Sequence, residues 1–347
     1  MDAPEPFHIG SHRVEPGTRR TVDLPVSVLS DHTPVTMSVQ VLHGAKPGPT
    51  MFVSAAVHGD EVIGVEIVRR LLRAPALASL KGTLLAVPIV NAFGFMNHSR
   101  YLPDRRDLNR SFPGNSSGSL AARLANLFLR EIVLRSNVGI DLHSAAIHRT
   151  NLPQIRVVPG KPRTLALAEA FGAPLILMSA MREGSLRQIA AKQDIDVLLY
   201  EAGEGLRFDE HAVRTGVTGI LRVMRHLGMV SGKQITKPRA NAVRSSSSTW
   251  LRAPAGGLLR TFKTIGEEVA ARDVLGVISD PFGEKETEIV AEAPGLLIGR
   301  TNLPIVNEGD GLFHVATISK TADAKTTIDS LAMQLHADPL FDEDEII

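Results

Sequence analysis

The chain contains no cysteine. This absence excludes disulfide bonds and thiolate metal sites, so any zinc ion here must be held by histidine and carboxylate side chains. Aromatic residues are also scarce, at 4% of 347 residues, and the 38 basic residues nearly balance the 37 acidic ones. With few stacking side chains and no excess of positive charge, we expect a small-molecule partner and no nucleic acid.

Long hydrophobic runs are missing as well. No run approaches the length of about 20 residues that a membrane-spanning helix needs. The first residues, MDAPEPFHIGSHRVEPG, lack the apolar stretch of a secretory signal peptide. We therefore expect no membrane partner and a cytoplasmic location. The sequence does not decide the oligomeric state, and a homo-oligomer is compatible with it.

Between residues 21 and 228, short runs rich in Val, Ile and Leu alternate with helical patterns. This alternation predicts an α/β sheet that is covered by helices on both faces. The strands are predicted at 21–29, 35–42, 50–57, 83–90, 137–142, 155–159, 173–178 and 194–200. The helices are predicted at 62–73, 119–134, 164–171, 185–193 and 209–227.

The composition changes after Met229, where a polar segment rich in Ser and helix breakers begins. Residues 250–318 then show short alternating runs and many glycines, which predict a small all-β unit. The last residues, DPLFDEDEII, are acidic and are typical of a loosely held tail. We therefore divide the chain into residues 1–230, an α/β domain, residues 231–320, a β-rich domain, and residues 321–347, an acidic tail.

Four predicted strands end in polar residues that apolar packing does not require. In an open α/β sheet, ligands collect beyond the carboxyl ends of the strands. Any one of these residues alone is typical of a hydrogen-bonded loop, but their joint placement favours a site. The residues are His58, Asp60, Glu61, Asn91, His143 and Glu201.

Two imidazoles and one carboxylate form a donor set that suits a catalytic zinc ion, because they leave a position for water. His58 and Glu61 are close enough in sequence for one turn to aim both at one ion, and His143 would complete the set. Asp141 is either a carboxylate at the edge of the core or a residue that orients a ligand. Glu201 is the best candidate for the base that activates water.

The segment NHSRYLPDRRDLNRSFPG, residues 97–114, contains four arginines. It is either a solvated loop or, beside a zinc site, a set of guanidinium groups that bind a carboxylate or stabilise an oxyanion. The second interpretation implies an anionic substrate.

The motifs HGDE, RY, DLNRSFPG, DLHS and YEAGE, in this order, resemble those of the succinylglutamate desuccinylase and aspartoacylase family. Members of this family are zinc amidohydrolases related to the metallocarboxypeptidases. The likeness covers roughly residues 50–205, and the region after residue 250 is similar to the family's C-terminal domain. It implies a carboxypeptidase-like mixed sheet flanked by helices, one zinc ion per chain, and cleavage of the amide bond of an N-acyl amino acid.

The resemblance also implies roles for individual residues. His58, Glu61 and His143 would bind zinc, and Glu201 would activate water. Arg100 would polarise the scissile carbonyl, whereas Asn109 and Arg110 would hold the substrate carboxylate. Arg105 and Arg106 are additional to the motif, so the choice among Arg100, Arg105 and Arg106 for the carbonyl stays open. The acyl group and the amino acid also stay open.

Two other functions fit parts of the sequence. A zinc carboxypeptidase would share the zinc ligands, but such peptidases carry a tyrosine shortly before the glutamate, and residues 175–199 contain none. An acyl carrier would use Lys285 in GEKETEIVAEAPGLL, which resembles the lysine hairpin of biotinyl and lipoyl domains. The residues beside Lys285 are charged, and this favours an ordinary solvated hairpin.

Overall fold

The computed structural model describes residues 4–231, 235–318 and 324–336. All five predicted helices are confirmed within a few residues, and two further helices, α2 and α7, were not predicted. No helix in these described ranges is long and apolar enough to cross a membrane. The helices are α1 (Ile63–Leu71), α2 (Ala92–Met96), α3 (Leu120–Glu131), α4 (Pro162–Phe171), α5 (Leu186–Lys192), α6 (Glu210–His226) and α7 (Ala324–His336).

The strands follow the predicted order, with a short β-ribbon added at the beginning and a strand added at 243–245. In the first part of the chain they are β1 (Phe7–Ile9), β2 (His12–Val14), β3 (Thr18–Val28), β4 (Pro34–His43), β5 (Lys46–Ala55), β6 (Lys81–Val87), β7 (Val138–His143), β8 (Arg149–Val157), β9 (Leu175–Met178) and β10 (Asp196–Gly203). In the second part they are β11 (Val243–Ser245), β12 (Ser248–Arg252), β13 (Gly257–Thr261), β14 (Glu268–Val269), β15 (Val274–Ser279), β16 (Glu286–Val290), β17 (Gly295–Thr301), β18 (Ile305–Val306) and β19 (Gly311–Ala316).

The large sheet is mixed, as predicted. Its main path runs in the order β12-β19-β17-β8-β10-β7-β5-β6-β4-β3. The central strands β10, β7, β5 and β6 are parallel to one another, and β8, β4 and β3 pair antiparallel. Because the parallel strands end at the same edge, the turns that follow them meet there.

Helices cover the two faces of this sheet. Helix α1 contributes Ile63 and Ile67 to a core on one face, together with apolar side chains of α4 and α6. Helix α3 contributes Leu124 and Phe128 to the core on the other face, where Phe128 meets Phe52 edge to face. The apolar stripes that predicted these helices are therefore the surfaces that hold them on the sheet.

The C-terminal region is divided between two sheets. Strands β13, β15, β16 and β18 form a separate antiparallel sheet. Strands β12, β14, β17 and β19 instead extend the large sheet, because β17 pairs with β8 over residues 149–151. The all-β character of residues 250–318 is confirmed, whereas a boundary between domains at residue 230 stays a prediction.

The segment predicted as an acidic tail contains a helix. Helix α7 buries Leu331 and Leu335, and its residue Gln334 accepts a hydrogen bond from the backbone N–H of Arg239. The prediction of a tail from residue 321 was therefore wrong for residues 324–336, where the spacing of these leucines suits a helix. The acidic stretch at 338–347 lies outside the described residues.

Candidate active site

The HGDE motif forms the turn between β5 and α1. His58 and Glu61 are each only 3% exposed, so both side chains are withdrawn from bulk water. Gly59 is required by a close approach, since a Cβ at this position would lie 1.9 Å from the carbonyl carbon of Gly94 in α2. The turn is thus pressed against α2, which leaves no room for a side chain at position 59.

Strand register brings the other strand-end residues to the same place. Ala55 of β5 pairs with Leu142 of β7, so His143 ends β7 beside the HGDE turn. His143 in turn pairs with Glu201 of β10. Neighbouring strands lie about 4.8 Å apart, so His143, 82 positions beyond Glu61, lies beside the HGDE turn, and Glu201 follows on the next strand.

His58, Glu61 and His143 form one cluster. Nδ1 of His58 lies 2.7 Å from Oε1 of Glu61, and Nδ1 of His143 lies 2.7 Å from Oε2. The three candidate ligand atoms all lie within 4.8 Å of one another, a spacing that could hold a metal ion. The sequence had selected these three residues as metal ligands, and the structure brings them together.

The cluster is strongly coupled electrostatically. Burial opposes ionisation of Glu61, but the two imidazoles outweigh it and hold the pKa of this carboxyl well below its usual range. Burial likewise opposes a charge on His143, yet Asp141 and Glu61 raise its pKa well above the ordinary value. The same negative field that favours protons on the imidazoles favours a divalent cation, with which those protons would compete.

Each imidazole is backed by a second carboxylate. Nε2 of His143 lies 2.8 Å from Oδ2 of Asp141, and Nε2 of His58 lies 3.1 Å from Oδ1 of Asp107. Such pairs keep the proton on Nε2 and direct Nδ1 toward a metal, the arrangement common around zinc-bound histidines. The donor set therefore fits zinc. The contact between Asp141 and His143 agrees with one of the two interpretations of Asp141. Asp107 was not selected from the sequence, although it begins the quoted motif DLNR.

Arg100 is the arginine that reaches this cluster. Its Nη1 lies 3.3 Å from Oε1 of Glu61, and its Nη2 lies 3.0 Å from Oδ2 of Asp107. Arg106 instead lies near Asp104 at 3.8 Å with its side chain 63% exposed, and Arg105 is also exposed. Of the three arginines left open by the sequence, only Arg100 lines the cleft.

Asn109 and Arg110 also line the cleft. Oδ1 of Asn109 accepts a hydrogen bond of 2.9 Å from the backbone N–H of Leu186, which ties the DLNR loop to the start of α5. Arg110 lies at the exposed rim, where Nη1 donates to the carbonyl oxygen of Asn109 at 2.5 Å. The two residues are therefore adjacent members of the cleft lining.

Glu201 lies on a different part of the cleft. Its Oε2 accepts a hydrogen bond from Nδ2 of Asn151 at 3.0 Å and forms an ion pair with Nη2 of Arg156 at 2.9 Å. Neither partner was selected from the sequence, because both belong to β8 and reach Glu201 only through strand pairing. A polar residue inside an otherwise apolar strand was the one signal that could have revealed them.

The cleft has a volume of about 520 Å³, within the usual size range of small-molecule sites. Four of its arginines were missed by the sequence analysis, namely Arg149, Arg156, Arg182 and Arg187. The C-terminal region also contributes a wall, where Trp250 stacks on His314 with ring centroids 4.7 Å apart and Arg149 lies over the indole.

Two strand-end residues proposed for the site do not line the cleft. Asn91 is the N-cap of α2, where Oδ1 accepts a hydrogen bond from the N–H of Gly94. Asp60 is buried, and burial together with Glu61 raises the pKa of its carboxyl. Both residues therefore have structural places in their turns, which is the simpler interpretation.

The sequence matches the family model described as the succinylglutamate desuccinylase/aspartoacylase catalytic domain over residues 47–227. The chain belongs to this family. The matched range contains every candidate site residue and ends at the last turn of α6. The resemblance noted from five short motifs is thereby confirmed.

The names of similar proteins specify different substrates. An N-alpha-acetyl-L-2,4-diaminobutyric acid deacetylase of Halomonas elongata is 28% identical over 283 residues, 78% of this chain and 83% of that protein. A succinylglutamate desuccinylase of Burkholderia pseudomallei is 29% identical over 246 residues, 65% of this chain and 64% of that protein.

Solved structures share the fold. A succinylglutamate desuccinylase/aspartoacylase from Rhodobacter sphaeroides superposes with a TM-score of 0.77 at 27% identity, covering 86% of this chain and 96% of that one. The ectoine utilization protein EutE (DoeB) from Ruegeria pomeroyi also gives 0.77, at 23% identity and 86% and 94% coverage. The succinylglutamate desuccinylase/aspartoacylase fold therefore extends over the C-terminal strands as well.

Proposed function

We propose that this protein is a zinc-dependent hydrolase that cleaves the amide bond of an N-acyl amino acid. One observation carries the proposal: the His58, Glu61 and His143 cluster opens into the same cleft as Glu201, Arg100, Asn109 and Arg110. Membership of a family whose named relatives include a deacetylase and a desuccinylase supports the reaction type.

The cluster would hold one zinc ion through Nδ1 of both histidines and the carboxylate of Glu61. When bound, zinc supplies a Lewis acid that lowers the pKa of water and polarises a carbonyl group. Asp107 and Asp141 keep the imidazoles oriented by accepting their Nε2 protons. These two carboxylates act through the ligands and do not meet the substrate.

Glu201 would take a proton from the attacking water and return it to the nitrogen of the departing amine. Arg100 would donate to the oxygen of the scissile carbonyl as negative charge develops there. Its second guanidinium nitrogen remains on Asp107, so the group is held in place before the substrate arrives. Such preorganised donors stabilise the transition state more than the ground state.

Asn109 and Arg110 would bind the free carboxylate of the amino acid. The electrostatics of the cleft support an anionic substrate, because its lining has six arginines and two glutamates, and Glu61 belongs to the metal cluster. Burial lowers the pKa of Arg187 to about 10, with Arg156 and Arg182 adding to the effect. Partly desolvated cations without enough counter-charge favour binding of an anion.

The screening experiment is metal-dependent hydrolysis of N-acyl amino acids that differ in acyl length and in side-chain charge. We expect zinc-dependent release of the amino acid, lost with a chelator and restored by zinc. Peptides with a free C-terminal carboxylate form a second arm. Faster cleavage of these peptides than of any N-acyl amino acid would favour a carboxypeptidase and overturn the proposal.

The carboxylate clamp is tested with an N-acyl amino acid and its carboxamide. Wild type should strongly prefer the free acid, and Arg110→Ala should lose most of this preference. Arg110→Lys should mainly raise KM, since lysine lacks the planar fork that binds a carboxylate through two hydrogen bonds. Equal hydrolysis of acid and amide by wild type would refute the clamp. Arg106→Ala, outside the cleft, is the matched control.

The cytoplasmic location and a homo-oligomeric state remain predictions from the sequence. Both are tested directly, by fractionation of cells that express the protein and by light scattering of the purified chain.

A further inference from the structure

We propose that Asn151 and Arg156 position the carboxylate of Glu201, and that Gly299 of the C-terminal strand β17 provides the space in which Asn151 does so. This inference rests on the proposed function, in which Glu201 is the base. It gives the C-terminal region a part in catalysis that the cleft lining alone does not reveal. Asn151 and Arg156 are positioning residues here, since they act through Glu201.

The two donors converge on one oxygen. Asn151 Nδ2 and Arg156 Nη2 lie 3.0 and 2.9 Å from Oε2 of Glu201. Within residues 4–231, 235–318 and 324–336, no hydrogen bond is formed to the other oxygen, Oε1. The carboxylate is therefore held through Oε2, and Oε1 is left for proton transfer in the proposed reaction.

The backbone explains why both donors reach the same carboxylate. Strand β8 runs antiparallel to β10, with Arg156 opposite Leu199 and Asn151 opposite Gly203. Glu201 lies between these two pairs, and residues two apart in a strand share a face. A bulge between Glu201 and Gly203 shifts the register by one residue, which places Asn151 on the face of the glutamate.

Strand β17 closes the other side of Asn151. Gly299 pairs with Asn151 across the sheet, and a Cβ at Gly299 would lie 2.7 Å from Oδ1 of Asn151. Real Cβ atoms do not approach so closely, so a side chain here must displace the Asn151 amide. The nearest group is the end of a side chain, which can move, whereas the carbonyl oxygen of Thr150, at 3.2 Å, has to give by only a few tenths of an ångström.

Asn151 and Arg156 also line the cleft, so the alternative is that they bind substrate directly. The two roles differ in kinetics. Loss of a positioning contact lowers kcat with little change in KM, whereas loss of a substrate contact raises KM. They also differ in a double-mutant cycle, because a residue that acts only through Glu201 has nothing to add once Glu201 is glutamine.

The first experiment measures kcat, KM, zinc content and melting temperature for Arg156→Gln, Arg156→Lys and Asn151→Ala. We expect Arg156→Gln to lower kcat by about 10²-fold. Asn151→Ala should lower kcat by a smaller factor, and Arg156→Lys should keep part of the activity that Arg156→Gln loses. In a Glu201→Gln background the same changes should leave the residual rate unaltered. Arg163→Lys is the matched control, because Arg163 pairs with Asp196 at the opposite end of β10. A rise in KM at constant kcat, or effects that add to Glu201→Gln, would overturn the proposal.

The second experiment tests the C-terminal contribution. Gly299→Ala should lower kcat about as much as Asn151→Ala does, and should have no further effect in that background. Gly256→Ala is its control, since a Cβ there would meet its nearest atom at an ordinary 3.6 Å. Wild-type kcat in Gly299→Ala would contradict the role assigned to β17.

A crystal structure of the Arg156→Gln, Asn151→Ala double variant gives a readout that needs no substrate. A changed rotamer of Glu201 supports positioning, and an unchanged rotamer overturns it. The proposed function fails in a different way, through a Glu201→Gln variant that keeps wild-type turnover, and the rotamer of Glu201 still decides the present inference in that case.

Discussion

The two sides of the cleft are built on different physical principles. On the metal side, His58, Glu61 and His143 are each 3% exposed and contact one another, with Asp107 and Asp141 behind them. The opposite side is an arginine wall, which has too few carboxylates to neutralise its positive charge. The first side thus satisfies its own charges, whereas the second has unbalanced positive charge that an anionic substrate would neutralise in the proposed function.

We therefore expect different roles for the two sides: the metal side in the reaction, and the arginine wall in the choice of substrate. The metal side comes from two short motifs at the ends of adjacent strands, and its geometry leaves little room for variation. The arginine wall comes from β8, the start of α5 and the segment before it, with Trp250 and His314 from the C-terminal strands. We expect substitutions on the first side to abolish turnover and those on the second to change which acyl amino acid is used.

The largest effect should follow removal of the metal ligands. A His58→Ala, His143→Ala double variant should lose its zinc, about one ion per chain, and its hydrolytic activity should fall to background. Elemental analysis and turnover measure this. His226→Ala, an exposed histidine at the end of α6, should match wild type. Full zinc and full activity in the double variant would contradict this prediction, since the metal side would then have no role in the reaction.

Removal of the base should separate activity from metal binding. Glu201→Gln should lower kcat by about 10²-fold or more and keep zinc at the wild-type level, because Glu201 lies outside the ligand cluster. Metal content and kcat are measured on the same preparation. If the variant loses zinc but hydrolyses normally after zinc is resupplied, Glu201 is a structural neighbour and another base must be found.

A smaller effect is expected behind the ligands. Asp107→Asn should weaken zinc affinity by about 10- to 100-fold, because it removes the carboxylate that orients His58. Competition with a zinc chelator measures the affinity. Asp104→Asn, whose carboxylate lies near Arg106 on the same loop, is the matched control. Equal zinc affinities for wild type and Asp107→Asn would show that zinc binding does not depend on the carboxylate behind His58.

The smallest effect concerns the stability of the opposite side. Burial, with the charge of Arg156 nearby, lowers the pKa of His314 from 6.5 to about 3. The folded state thus holds this imidazole neutral, and its contribution to stability is present above pH 6.5 and lost as the pH falls toward 3. His314→Phe keeps a ring against Trp250 and removes the titration, so its unfolding free energy should decline less than that of wild type across this range. Parallel pH profiles of denaturant unfolding would contradict the assignment.

Much of the fold was predictable because periodicity is local. The five helices were found from apolar stripes such as Leu124 and Phe128 in α3, and the strands from short β-branched runs. Two features of the fold were not predictable on this basis. Strand β17 can pair with β8 only after the large sheet has formed, because the edge of β8 does not exist before then. Helix α7 has a weak amphipathic pattern and lies in a region that was predicted to be a tail.

By itself, the sequence determined the residues that can do chemistry and their order. The spacing of His58 and Glu61 in one turn, the absence of cysteine, and strand-end placement of His143 and Glu201 were sufficient to select the metal cluster and the candidate base. Only the tertiary structure decided what stands beside them. Asp107, Asn151 and Arg156 reach their partners through loop packing and strand register, which are set by contacts between distant segments and leave no periodic signal in the chain.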